Sequence, residues 1–208
     1  MSNPWLTIPL EDYETHMSSA GVQQLTVLAE LFKYALDHYV PKSVAVLGVA
    51  GGNGLEHIDC AVTKRIVGVD INQQFLDEVQ RRFGTLPGIE LHCCDLAQRD
   101  FSLAPVALVH AALIFEHVGL GLPLANTLSL VAPGGKVSAV LQLPSENEQA
   151  VACTGCASMQ TLKQDFVLID IGEFQRLLAQ QGFQLVKHEL RSVPAGKALW
   201  LGIFAKNQ

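Results

Sequence analysis

The sequence predicts an α/β fold: a three-layer sandwich built on a seven-stranded, mostly parallel sheet that ends in an antiparallel hairpin. Three observations carry this. Short apolar runs rich in valine alternate with segments of helical period from Ser43 onward, the pattern of a parallel sheet with helical crossovers. Each of the first runs ends on glycine or an acid, as "SVAVLGVAGG", "RIVGVD" and "HCCD" do. The tail breaks the alternation, because "FQLVKHELRSV" and "KALWLGIFAK" are joined only by "PAG", a link too short for a parallel crossover.

Taken in order, residues 1–20 are polar with aromatic insertions and show no clear period. Val22, Leu25, Leu28, Ala29, Phe32, Ala35, Leu36 and Tyr39 then recur at helical spacing, predicting a helix of about five turns that Pro41 stops. "SVAVLGV" is a buried strand, and "GNGLEHIDCAV" places Leu55, Ile58 and Val62 on one face of a predicted helix. "RIVGVDI" is the second strand. "NQQFLDEVQRRFG" is a helix closed by Gly84, and "GIELHCC" is the third strand. "VALVH" is the fourth, a helix follows over about 122–131, and "APGGKVSAVLQLP" is a turn and a fifth strand. Residues 145–164 read as an irregular polar insertion before the helix "IGEFQRLLAQQG". The domain division expected is residues 1–40 as an N-terminal lid segment with its helix, and 41–208 as the core domain.

With 49% apolar and 16% charged residues, the 208-residue chain can bury a sizeable core. Its net charge is −6, and basic residues come at most in pairs such as Lys64-Arg65 and Arg81-Arg82, so a nucleic acid is not the expected partner. The start "MSNPWLTIPLEDYE" is not a secretory signal, and the longest apolar stretch, "APVALVHAALIF", is 12 residues, too short to span a bilayer. The expectation is a cytoplasmic protein with reduced thiols and no membrane partner. Cys153 and Cys156 have ligand-like spacing, but zinc needs about four ligands and the only other local cluster is His92-Cys93-Cys94, so no metal is expected.

The glycines at 48, 51, 52 and 54 either make a tight turn or let the backbone approach a ligand beyond the strand ends. They do not fit the dinucleotide spacing G-x-G-x-x-G, since Ala50 and Asn53 occupy its third and sixth places when read from Gly48. Asp70 ends the second strand 16 residues after Gly54, where it either accepts from both hydroxyls of a ribose or caps the next helix. Asp95 ends the third strand, where it either accepts from an adenine amino group, with the Leu96 N–H beside it, or serves a turn.

On these residues the sequence resembles the class I S-adenosylmethionine-dependent methyltransferases, and "GNGLEHI" is similar to a branch of small bacterial ones. The family signature is an acid, any residue, then G-x-G-x-G. The window "GVAGGNG" keeps Gly52 and Gly54, with Ala50 in place of the first glycine and Gly48 in place of the acid. "VGVDIN" resembles the ribose motif, "CDL" the adenine motif, "APGGKV" the turn before the fifth strand, and the terminal hairpin the sixth and seventh strands. The resemblance covers about residues 40 to 206 and implies a Rossmann-like sandwich that binds S-adenosyl-L-methionine. It implies cofactor contacts from Gly48, Ala50, Gly52 and Gly54. It further implies contacts from Asp70 with Ile71, from Asp95 with Leu96, and from His110 beyond the fourth strand.

Methyl transfer is an in-line displacement, so the protein must align a nucleophile and, where needed, take its proton. His110 is the candidate base by position, or a core histidine bonded to backbone; Glu116 and His117 either cap a helix or line the pocket. No Asn-Pro-Pro-aromatic motif and no acid cluster for magnesium follows the fourth strand, which disfavours the amino-group methylases of nucleobases and glutamine and the catechol type. Tyr13 and His16 lie in the polar N-terminal segment, which is either a surface arm or a lid over residues 8–20 that meets the substrate. The expected activity is methylation of a small-molecule acceptor. The alternatives are a non-catalytic S-adenosylmethionine-binding protein and an NAD-dependent oxidoreductase, the latter disfavoured by the glycine spacing and the antiparallel tail.

Overall fold

The computed structural model describes residues 3–145, 151–194 and 196–207. Part of the segment read as an insertion, residues 146–150, and Ala195 of the hairpin turn lie outside the described residues. Seven strands form one sheet: β1 (Ser43–Leu47), β2 (Arg65–Asp70), β3 (Ile89–Cys93), β4 (Val106–Ala112), β5 (Val131–Gln142), β6 (Phe183–Val193) and β7 (Lys197–Lys206). Their order is β3-β2-β1-β4-β5-β7-β6. β1 to β5 are parallel neighbours, and β7 runs antiparallel to both β5 and β6. The chain first winds outward from β1 to β3, then returns to β4 on the other side of β1. That reversal opens a crevice at the carboxyl ends of β1 and β4.

Each strand divides its side chains between two cores because successive residues point to opposite faces. Ala45, Leu47, Val67, Val69, Val109 and Ala111 face one side. There they meet Phe115 of α4 (Phe115–Val118), Leu124 and Leu128 of α5 (Leu122–Ser129), and Phe174 and Leu178 of α7 (Ile171–Gln180). Val44, Val46, Ile66 and Leu108 face the other, where they meet Leu31, Phe32 and Ala35 of α2 (Gln24–Tyr39) and Leu76 and Val79 of α3 (Gln73–Phe83). Helices on both faces make the three layers. Among the described residues no helix is long and apolar enough to cross a membrane.

The helix expected over "GNGLEHIDCAV" is absent; a single 3-10 turn, Leu55–His57, takes its place. Side chains satisfy backbone groups there locally, in competition with a helix. The Gly54 N–H donates to the Glu56 carboxylate at 2.9 Å, and the Ala61 N–H to the Asp59 carboxylate at 2.8 Å. Leu55 and Ile58 are buried nonetheless, so the periodicity recorded burial without a helix.

The N-terminal segment departs in the opposite sense. It forms a helix, α1 (Leu10–Ser18), despite its lack of apolar period. Its inward residues are Tyr13, His16 and Met17, a mixed set that a hydropathy pattern does not register. A 3-10 turn, Pro4–Leu6, precedes it. The segment read as an insertion also carries short helices, α6 (Ala157–Gln160) and a 3-10 turn at Thr161–Gln164. Met159 and Leu162 pack with Ile8 in a small separate core beside Trp5 and Tyr13. The two segments therefore support one another at the mouth of the crevice.

Candidate active site

The crevice is a cavity with about 1020 Å³ of empty space, its open mouth included. Strand ends form its floor in sheet order: Asp95 and Leu96 after β3, Asp70 and Ile71 at β2, Gly48 and Ala50 after β1, Leu113 and Ile114 after β4, and Gln142 at the end of β5. Tyr13, His16 and Met17 of α1 and Met159, Leu162 and Phe166 from beyond β5 supply the opposite wall.

Asp70 sits at the centre of this floor, only 8% exposed. One carboxylate oxygen accepts the Ala50 N–H at 3.0 Å, and the other the Asn72 N–H at 2.9 Å. Burial pushes its pKa up, and the backbone donors pull it back. An ionised carboxylate offers about four acceptor sites, so two backbone bonds leave room for two hydroxyls. Asp70 does not cap α3; Asn72 does, through its side-chain oxygen and the Gln74 N–H. Asp95 accepts the Ala97 N–H at 2.8 Å and still lines the cavity, so its turn role and its site position coexist.

The glycine loop explains its own departures from the family pattern. Ala50 holds a left-handed conformation, φ 46°, which a side chain adopts only at a cost. Its bond to Asp70 fixes it there. Gly48 is also left-handed, φ 65°, and a Cβ on it would lie 2.9 Å from the Ile114 side chain. An acid at 48 has neither a relaxed backbone nor free space.

Gly52 and Gly54, expected as cofactor contacts, are not among the residues lining the cavity. They face the core: an added Cβ would meet the Phe83 ring at 2.6 Å and the Phe32 ring at 2.9 Å. Their absent side chains let the loop lie against α3 and α2.

His110 is likewise placed away from the cavity. It is stacked on Phe32 with ring centroids 4.5 Å apart, and its Nδ1 lies 3.0 Å from Ser138 Oγ. Burial pushes its pKa down to about 3. The proton affinity and the position of a general base are both missing. The strand runs two residues further than "VALVH" suggests, and its cavity end is Leu113 and Ile114.

Tyr13 and His16 do line the cavity. Tyr13 lies between Trp5 and Phe75, at 5.8 and 6.4 Å between ring centroids, and burial with the nearby Asp70 charge raises its pKa. His16 Nδ1 and Thr154 Oγ1 are 2.6 Å apart. Burial first, and then the Lys197 charge, lowers the His16 pKa, so its imidazole is neutral at pH 7.

Three further groups enter that sequence reasoning left unresolved or missed. His117 is held edge-on between Trp5 at 4.8 Å and Phe166 at 5.0 Å, with its pKa pushed down to about 4 by burial. Gln24 donates through Nε2 to Gln142 Oε1 at 3.3 Å, and both line the cavity. Glu116 anchors this end from behind: one oxygen accepts the Gln142 N–H at 2.8 Å, the other has no hydrogen-bond partner among the described residues, and burial lifts its pKa to about 7. Extending the strand-end rule to the fifth strand finds Gln142; nothing local in the sequence marks Trp5 or Gln24.

The fold is shared with S-adenosylmethionine-dependent methyltransferases of known structure. Residues 44–135 match the family described as a methyltransferase domain. The structure is similar to the N-methyltransferase NodS of Bradyrhizobium japonicum WM9 in complex with S-adenosyl-L-homocysteine, at 13% identity over 100% of both chains and a TM-score of 0.69. It is similar to magnesium protoporphyrin IX methyltransferase of Synechocystis PCC 6803 with bound S-adenosylmethionine, at 11% identity over 100% of this chain and 98% of that one, TM-score 0.68. An O-methyltransferase family protein of Burkholderia thailandensis is similar at 13% identity over 96% of this chain and 60% of that one, TM-score 0.66. No curated protein sequence matches the chain significantly.

Proposed function

We propose that this protein is an S-adenosylmethionine-dependent methyltransferase acting on a small-molecule acceptor. The observation that carries the reading is the ordered floor of the crevice: Asp95, Asp70 and the left-handed loop at Gly48 and Ala50 stand side by side at one cavity. Asp95 and Leu96 suit an adenine edge, Asp70 suits the ribose hydroxyls, and the loop after β1 suits the methionine part. When bound, this cofactor would supply a methyl group activated by its sulfonium for transfer to an acceptor heteroatom. His16 takes the acceptor's proton, with Thr154 fixing its ring through Nδ1. Trp5, Tyr13 and Met17 exclude water from above.

Thermal unfolding tests the cofactor. S-adenosylmethionine or S-adenosylhomocysteine at 100 times its dissociation constant adds about 2.7 kcal/mol of stability, a rise of roughly 5–10 °C in Tm for a chain of this size. NAD produces no comparable rise. Equal or greater stabilisation by NAD overturns the reading.

In the same reading α1 is a lid. Arg82 of α3 grips both Glu14 oxygens, at 2.5 and 3.1 Å, and donates to the Gly51 carbonyl at 3.2 Å. The absent side chain at Gly51 leaves room for this grip. Ser158 donates to Asp12 at 2.5 Å, and Asn72 to the Trp5 carbonyl at 2.9 Å. A half-exposed ion pair contributes only about 0–1 kcal/mol to global stability, so Arg82→Ala leaves the Tm nearly unchanged. It accelerates amide hydrogen exchange across residues 10–18 and weakens S-adenosylhomocysteine binding several-fold. Unchanged exchange in that helix rules out the latch.

A further inference from the structure

We propose that the acceptor is an uncharged molecule carrying its reactive O–H or N–H on an apolar body, and that anionic acceptors are excluded. The proposal rests on the methyltransferase reading above and concerns the end of the cavity left over once the β1–β3 side is assigned to cofactor. That end has an apolar wall of Met17, Val151, Met159, Leu162 and Phe166. Its polar groups are the His16 and His117 imidazoles and the amide pair Gln24–Gln142.

Among the described lining residues there is no lysine or arginine, and the only charged side chains are Asp70 and Asp95. Lys197 lies near enough to act on His16, but it is buried and does not line the cavity. A carboxylate or phosphate entering here would leave water and find no lysine or arginine on the wall to pair with. A cation would meet the sulfonium charge, and an ammonium has no lone pair to accept a methyl group.

What the wall does offer is hydrogen-bond acceptors. The Gln24 carboxamide oxygen receives no hydrogen bond among the described residues, because the Gln24–Gln142 contact uses its nitrogen. It can therefore take an O–H or N–H from the acceptor. The two methionines give the apolar wall the flexibility to fit different bodies.

Matched pairs of probes test this on the full chain saturated with S-adenosylhomocysteine, whose own binding is measured first by calorimetry. The pairs are 4-hydroxybenzamide with 4-hydroxybenzoate, tryptophol with indole-3-acetate, and 3-phenylpropanol with 3-phenylpropionate. The expected result is that at least one neutral probe binds, and that each binds at least tenfold tighter than its anionic twin. Gln24→Leu, close in volume, weakens the neutral probes about fivefold or more while S-adenosylhomocysteine affinity stays unchanged. An anion binding as tightly as its neutral twin overturns the proposal, as does failure of all six probes on the product-saturated protein. Equal loss of probe and S-adenosylhomocysteine affinity in Gln24→Leu overturns the role given to Gln24. Failure of S-adenosylhomocysteine itself to bind overturns the underlying methyltransferase reading instead.

Discussion

Asp70→Ala costs the protein both cofactor affinity and stability, and the two losses have separate origins. In the folded chain the carboxylate is the acceptor for the Ala50 and Asn72 N–H groups, both at buried positions. Alanine orphans both, at about 1–3 kcal/mol each where water cannot replace the lost partner. The urea midpoint falls accordingly. The binding loss comes from the other face of the carboxylate. Charge-assisted bonds to two ribose hydroxyls contribute roughly 1.5–3 kcal/mol each, so the dissociation constant of S-adenosylhomocysteine rises at least tenfold. Calorimetry on protein shown to be folded separates the two. A lower urea midpoint with unchanged affinity means that Asp70 only braces the loop, and its assignment to ribose is wrong.

Acid destabilises the protein through a buried histidine. The His110 pKa falls from 6.5 to about 3 on folding because its ring is buried. Below pH 6.5 the unfolded chain takes up a proton that the folded one refuses, so stability is full above that pH and drains away as pH drops toward 3. A shift of that size amounts to roughly 4–5 kcal/mol by the bottom of the window. His117, lowered to about 4, adds in the same direction. Glu116 acts oppositely. Its pKa rises from 4.5 to about 7, so the folded state holds the extra proton, and its contribution, full below pH 4.5, is lost as pH climbs through 7. That loss is roughly 3 kcal/mol. With two histidines against one carboxyl, the three together put maximal stability near pH 6.5. His110→Asn keeps a partner for Ser138 and removes the titration; it flattens the acid limb. Glu116→Gln flattens the limb between pH 4.5 and 7. Denaturant melts from pH 3 to 8 read both, and a His110→Asn profile parallel to wild type would disprove the account.

The strands, the hairpin tail and the positions of Asp70 and Asp95 were legible from sequence because each is written locally. A run of valines between turn residues is a buried strand whatever surrounds it. In an open parallel sheet the residues just beyond such runs meet at one crevice. The departures lie where the deciding partner is far away in sequence. His110 stands at the apparent end of its strand, yet alternation points it at Phe32 of α2, 78 positions earlier (110 − 32). Neither the true strand end nor the packing of that face is visible in "VALVH". The stretch after Gly54 has helical periodicity, but Glu56 and Asp59 bind the backbone first, and ten residues, 55–64, must reach β2. α1 shows the converse. Its helix is stabilised by a buried face of tyrosine, histidine and methionine that no hydropathy period reveals, and by ion pairing to Arg82, 68 residues away. Sequence by itself determined the sheet and the acids at its crevice, because strand propensity and strand-end chemistry are properties of neighbours along the chain. Only the tertiary structure decided the opposite wall of the crevice. Gln24 and Gln142 meet across 118 residues, and His16 and Thr154 across 138; such pairings exist only after the sheet has brought β5 beneath the amino-terminal helices.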